Sequence, residues 1–105
     1  MSPPVQPDQL EAGINKNAPH IFRQALGHFS EDTPAIRQLL IDTAMNPNYH
    51  LGQDKYKTDW YSQILPSGAQ VWVQVRKGEI RNAGINATPR TWHPDTGLAG
   101  SPELN

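Results

Sequence analysis

His20, Arg23 and His28 share one short stretch of the chain, and Thr88, Arg90 and Thr91 flank a single proline, Pro89, near its other end. These are the residue types that cleave RNA without a metal. A base withdraws the proton of a 2′-hydroxyl and the oxygen attacks the neighbouring phosphorus. An acid then protonates the departing 5′-oxygen, while cations and hydroxyl or amide donors stabilise the phosphorane. Histidine suits both proton transfers because its reference pKa, about 6.5, lies close to neutral pH. Arginine presents a permanently charged fork to phosphate oxygens. On these grounds His20, Arg23, His28, Thr88 and Arg90 form the candidate catalytic set.

Other chemistry is poorly provided for. The chain has no cysteine, so neither a disulfide nor a thiolate metal site is available. His20, His28, His50 and His93 fall into no metal-ligand spacing with carboxylates, and no metal or cofactor is expected. A nucleophile elbow, a phosphate-cradling glycine loop and a dinucleotide fingerprint are all missing from the sequence. His50 and His93 have no obvious companions and stay outside the candidate set.

A net charge of -1 argues against a generic nucleic-acid binder, but the charges are unevenly placed. Residues 55–93 carry Lys55, Lys57, Arg76, Lys77, Arg81 and Arg90 against Asp59 and Glu79, whereas residues 1–54 are acidic on balance. Such a local positive field can hold a phosphodiester at short range; an ordinary solvated surface can have the same composition.

The elements that must position these groups are legible in outline. A chain of 105 residues makes one small domain with a single core. Residues 1–16 are proline-rich and polar and read as a flexible leader or linker, residues 17–98 as the domain, and residues 99–105 as a tail. No stretch approaches the roughly 18 apolar residues of a membrane span, and the N-terminus lacks the apolar run of a signal peptide. From Asn17 onward the pattern predicts a helix over residues 18–27. Asn17 or Ala18 would cap it, Pro19 suits its first turn, Ile21, Phe22, Ala25, Leu26 and Phe29 form its apolar stripe, and Gly27 ends it. That places His20 at the positive end of the helix dipole, which disfavours an imidazolium and favours a neutral base. His20 and Arg23 become neighbours on the polar side. The plain alternative for His20 and His28 is a helix-end residue bonded to nearby backbone.

A second helix is predicted over residues 33–45, with Thr33 as N-cap, Pro34 at the first helical position and Asn46–Pro47 as the stop. A loop over residues 46–58 leads into strands at residues 59–65 and 69–76. The two-residue turn Lys77–Gly78 sets Arg76 opposite Glu79, Val75 opposite Ile80, Gln74 opposite Arg81 and Val73 opposite Asn82. A fourth short strand is predicted over residues 90–92. The fold class is therefore α+β, with N-terminal helices packed on a three- to four-stranded antiparallel meander.

Val71, Val73 and Val75 point toward the helices, with Ile36, Leu39, Leu40 and Ile80 completing the core. The other face presents Trp72, Gln74, Arg76, Glu79 and Arg81, a plate of aromatic, amide and guanidinium groups suited to nucleotides. With Lys77, Thr91 and Trp92 it supplies the candidate RNA-binding residues. Here too plain alternatives stand: the polar outside of a half-buried sheet, a core tryptophan, and threonines that satisfy a turn.

Several linked blocks carry a family resemblance: HIFRQALGHF (20–29), DTP (32–34), QVWVQVRKGEI (70–80), NAGIN (82–86) and TPRTW (88–92). Together they resemble the C-terminal toxin domains of bacterial polymorphic and contact-dependent growth inhibition toxins, whose folds are often similar to the barnase, EndoU, colicin and RelE-like ribonucleases. The resemblance spans about residues 17–98. It implies a ribonuclease, often one that cuts tRNA, carried at the end of a larger secreted protein, acting in the cytoplasm of target bacteria and neutralised by a cognate immunity protein. By position, His20, Arg23, His28, Thr88 and Arg90 match the polar positions of these blocks. A domain that is monomeric when free is expected. A non-catalytic protein-binding module, such as an immunity or adaptor protein, is the alternative.

Overall fold

Pro7 at the first helical position and Asp8 in the first turn start a 15-residue helix, α1 (Pro7–Ile21), in the computed structural model, which describes residues 6–95, 97 and 98. Leu10, Ile14 and Ile21 lie on one stripe of α1 and are fully buried. Residues 7–16 are therefore part of the core-forming helix and not a leader; residues 1–5 and the expected tail at 99–105 lie outside the described residues. The sequence expectation of a helix over 18–27 is corrected at both ends. Pro19 sits in the last turn, and the chain leaves the helix at Phe22, whose N–H still donates to Ala18 O. The start signal of proline and nearby acid belongs to Pro7 and Asp8.

The second helix, α2 (Pro34–Met45), follows its signals. Thr33 Oγ1 accepts from Ile36 N at 3.1 Å, Pro34 occupies the first turn, and Asn46 ends the helix ahead of Pro47. Its inner side carries Leu40, Ile41, Thr43 and Ala44. Buried Thr43 is satisfied locally, donating to Leu39 O at 2.8 Å and accepting from Gln63 Nε2 at 2.7 Å.

Four antiparallel strands, β1 (His50–Gln53), β2 (Asp59–Ile64), β3 (Gln70–Arg76) and β4 (Glu79–Asn86), form one sheet in the order β1-β2-β3-β4. The fold is α+β, two N-terminal helices against a four-stranded antiparallel meander. The fourth strand is not where the sequence placed it. A short strand with Gly52 inside it and an irregular register beside His50 occupies part of the expected 46–58 loop, whereas residues 90–92 join no sheet. The β3–β4 hairpin starts as expected, with Arg76 opposite Glu79 and Val75 opposite Ile80. A bulge then shifts the register, so Gln74 faces Asn82 and Val73 faces Ala83. Arg81 is the extra residue of that bulge, and the expected Gln74–Arg81 and Val73–Asn82 pairs do not form.

The valine face of β3 packs on the helices as expected. Val71, Val73, Val75 and Ile80 join Leu10, Ile14, Ile21, Leu40, Ile41, Tyr61 and Ala83 in the main core, with Ile36 and Leu39 half-buried against it. α1 lies directly on β4: a Cβ on Gly13 would collide with the backbone N and O of Ile80. Asn17 fastens this contact, its Nδ2 donating to Gly13 O at 2.9 Å and Ile80 O at 3.1 Å.

The other sheet face is covered in part. Trp60, Trp72 and Leu98 form a second apolar cluster, with Leu51 and Trp92 packed beside them. Trp72 is 2 % exposed, so the open plate expected there is interrupted at its centre. The segment after β4 folds back across this face, and Lys55 N donates to Pro94 O at 3.1 Å. No described helix is long and apolar enough to cross a membrane.

Candidate functional site

Phe22 and Phe29 are half-buried against the main core and form an isolated bridge to each other, so the segment between them closes on itself. Arg23 N donates to Phe29 O at 2.8 Å, and His28 N donates to Ala25 O at 3.1 Å. The loop is tied to the sheet where Ile85 N of β4 donates to Gly27 O at 3.0 Å. Gly84 makes this approach possible, because a Cβ there would overlap Gly27 O and the Trp72 ring.

The closed loop brings two expected residues together. Arg23 Nη2 lies 3.2 Å from His28 Nε2, and His28 Nδ1 lies 3.4 Å from Ile21 O. A guanidinium only donates and a carbonyl only accepts. His28 therefore carries its proton on Nδ1, toward Ile21, and presents a bare Nε2. Its ring meets Trp72 edge-on at 5.6 Å. Burial first, then the adjacent Arg23 charge, hold the His28 pKa below the usual histidine value, against a smaller upward pull from the Ile21 and Ala83 backbone. The result is a neutral imidazole with its lone pair beside a cation.

Next to His28, Leu26 and Gly27 form one wall of a 350 Å³ pocket whose other walls are Asn86, Ala87, Thr88, Pro89 and Arg90. Its size falls within the roughly 300–1,000 Å³ of small-ligand sites. Thr88 and Arg90 thus line one cavity, and Gly27 joins that cavity to the His28 loop. Gln70 fastens two of these lining residues to each other: its Nε2 donates to Arg90 O at 3.0 Å, and its Oε1 accepts from Arg90 N at 2.9 Å and from Asn86 Nδ2 at 3.1 Å. Sequence reasoning missed Gln70 and Asn86. Amides carry no spacing signature, and only the fold makes them neighbours.

The remaining candidates are dispersed. His20 is exposed in the last turn of α1, at the opposite end from the one expected, so the dipole argument for it fails. Trp72 is buried under Trp60 and does not stand open for a base to stack on, whereas Trp92 is half-buried and packs on Trp60 at 5.6 Å between ring centroids. Gln74 is half-buried between Trp60 and Asn82 in the register. Arg76 Nε donates to Thr58 Oγ1 at 3.1 Å. Lys77 is exposed in the β3–β4 turn, Arg81 in the bulge, and Thr91 beyond β4.

His50, set aside on sequence, does have a companion. Its Nε2 lies 3.0 Å from Asp59 Oδ1 across the β1–β2 pair, and its ring lies 5.0 Å from Tyr61. No group of three or more His, Cys, Asp or Glu among the described residues could hold a metal ion. Compared with protein-family models, curated proteins and solved structures, the chain matches none of them.

Proposed function

We propose that this domain is a metal-independent endoribonuclease in which His28 is the base and Arg23, Thr88 and Arg90 hold the scissile phosphate. The observation that carries the reading is the bare Nε2 of His28 beside the Arg23 guanidinium, on a loop that also walls a pocket lined by Thr88 and Arg90. A phosphodiester drawn to Arg23 would pull the guanidinium from Nε2 and release the lone pair. Nε2 then takes the 2′-hydroxyl proton, O2′ forms a bond to phosphorus, the P–O5′ bond breaks, and the 5′-oxygen takes a proton from water. The products are a 2′,3′-cyclic phosphate and a 5′-hydroxyl. A positioned base of this kind contributes about 10² to 10⁴ in rate.

The blocks at 20–29, 32–34, 70–80 and 82–92 support the further reading of a bacterial toxin domain that cuts tRNA in target cells and is held inactive by an acidic immunity protein. Opposite fields would speed that encounter and make it salt-sensitive. One observation favours the second reading, a non-catalytic protein-binding module: Leu26 stands fully exposed at the pocket rim. The test is incubation of the purified domain with total bacterial RNA in excess chelator, followed by sequencing of the new ends. Defined cleavage sites support the nuclease; intact RNA favours the binding module.

A further inference from the structure

Three residues fix one acceptor in the lining of the pocket. Arg90 N can only donate and Arg90 O can only accept, so the two backbone bonds to Gln70 set which end of its amide is oxygen. Gln70 Oε1 then requires a donor from Asn86, which fixes Nδ2 toward Gln70 and Oδ1 away from it. Reversing Asn86 would set two oxygens against each other, and reversing Gln70 as well would set an N–H against an N–H. Asn86 is 7 % exposed, yet no described residue donates to its Oδ1, which lies 3.4 Å from where a Gly27 side chain would begin. Solvent still reaches this fixed acceptor, so a ligand that displaces water from it without supplying a donor loses about 1–3 kcal/mol.

From this the geometry points to a nucleobase subsite that selects bases bearing an exocyclic amine, adenine, cytosine or guanine, and rejects uracil. The inference rests on the ribonuclease reading for its substrate class. An exocyclic amine projects beyond the ring and can reach Asn86 Oδ1 in the pocket lining, while Leu26 and Pro89 offer apolar surfaces to the base. Uracil has only its ring N3–H, flanked on both sides by carbonyl oxygens that would face Asn86 Oδ1 and repel it. A site built around a fixed hydrogen-bonding group discriminates strongly, because the wrong ligand leaves that group unpaired.

The test is titration of the full chain with CMP and UMP, and with AMP and purine riboside monophosphate, which lacks the amine, reading Kd from amide chemical shifts. CMP should bind about 10- to 100-fold tighter than UMP, and AMP tighter than its amine-free analogue by a similar factor. Asn86→Ala should erase both differences, and Leu26→Ala, at an exposed position, should weaken every nucleotide alike. The ligand pairs test the idea even where Asn86→Ala fails to fold, since the protein in them is unchanged. Equal binding of CMP and UMP, or binding of neither, overturns the subsite, whatever the fate of RNA. Discrimination without any RNA cleavage would uphold the subsite and remove the catalytic proposal.

Discussion

The guanidinium of Arg23 and the imidazole of His28 meet at 3.2 Å through Nη2 and Nε2, a contact that forms only when His28 is neutral and protonated on Nδ1. Protonating Nε2 would set a cation against a cation and cost His28 its hydrogen bond from Arg23.

This contact sets the direction of a pH effect on activity. The His28 pKa is lowered by burial and then by Arg23, so the base stays competent below its ordinary value of 6.5, and the acidic limb of the rate profile should fall beneath that pH. Arg23→Gln removes the second cause and leaves the first. Its limb should move upward, toward 6.5, while the rate on the plateau drops with the loss of a phosphate ligand. A profile whose limb stays in place in Arg23→Gln would exclude His28 as the titrating base.

Stability should follow the same group. As pH falls below about 6.5, the unfolded chain takes up a proton at this histidine while the folded chain, with its lowered pKa, does not. Folding stability is therefore full above that value and is lost progressively down to the folded pKa. The melting temperature should decline between about pH 7 and 5, and His28→Gln should flatten that decline. An identical slope in both proteins would locate the titration elsewhere.

Gly84 should control the loop as a unit. A methyl group there meets Gly27 O and the Trp72 ring, so Gly84→Ala should break the Ile85–Gly27 hydrogen bond and lift residues 22–29 from β4. Overpacking of this sort costs about 1–3 kcal/mol, measurable by urea unfolding. RNA cleavage should fall further than stability does, because His28 and one wall of the pocket move together.

The first helix should prove indispensable. Ile14 is fully buried in the main core, and Ile14→Ala should cost about 2–5 kcal/mol. Removal of residues 1–16 takes Leu10 and Ile14 away together and should leave a chain without cooperative unfolding. A truncated chain that melts as sharply as the full one would contradict the packing of α1 on β4.

What was legible in the sequence was periodic. The alternation of Val71, Val73 and Val75 announced β3 and its inner face, and Thr33–Pro34 announced α2, because both signals act through neighbouring residues. Proline misled at the first helix: Pro7 and Pro19 are each compatible with a first turn, and the tightly spaced apolar run of 21–29 outweighed the sparse stripe of Leu10, Ile14 and Ile21. That run is instead a closed loop, held by Phe22, Phe29 and the distant Ile85. The Gln74–Arg81 pairing failed on one inserted bulge residue, which strand alternation does not encode. Of the candidate site, Arg23 with His28 and Thr88 with Arg90 were within reach of local reading. Gln70 and Asn86 were not, since their roles arise from strand register and from a backbone turn at Arg90.

The most direct measurement is cleavage of a defined oligoribonucleotide in excess chelator, followed by product analysis, for the native domain, for His28→Ala and on a fully 2′-O-methylated copy of the substrate. The account predicts a 2′,3′-cyclic phosphate from the native domain, a loss of about 10² to 10⁴ in rate for His28→Ala with unchanged melting at neutral pH, and no cleavage of the methylated strand. Cleavage of the methylated strand, or full activity in His28→Ala, would contradict it.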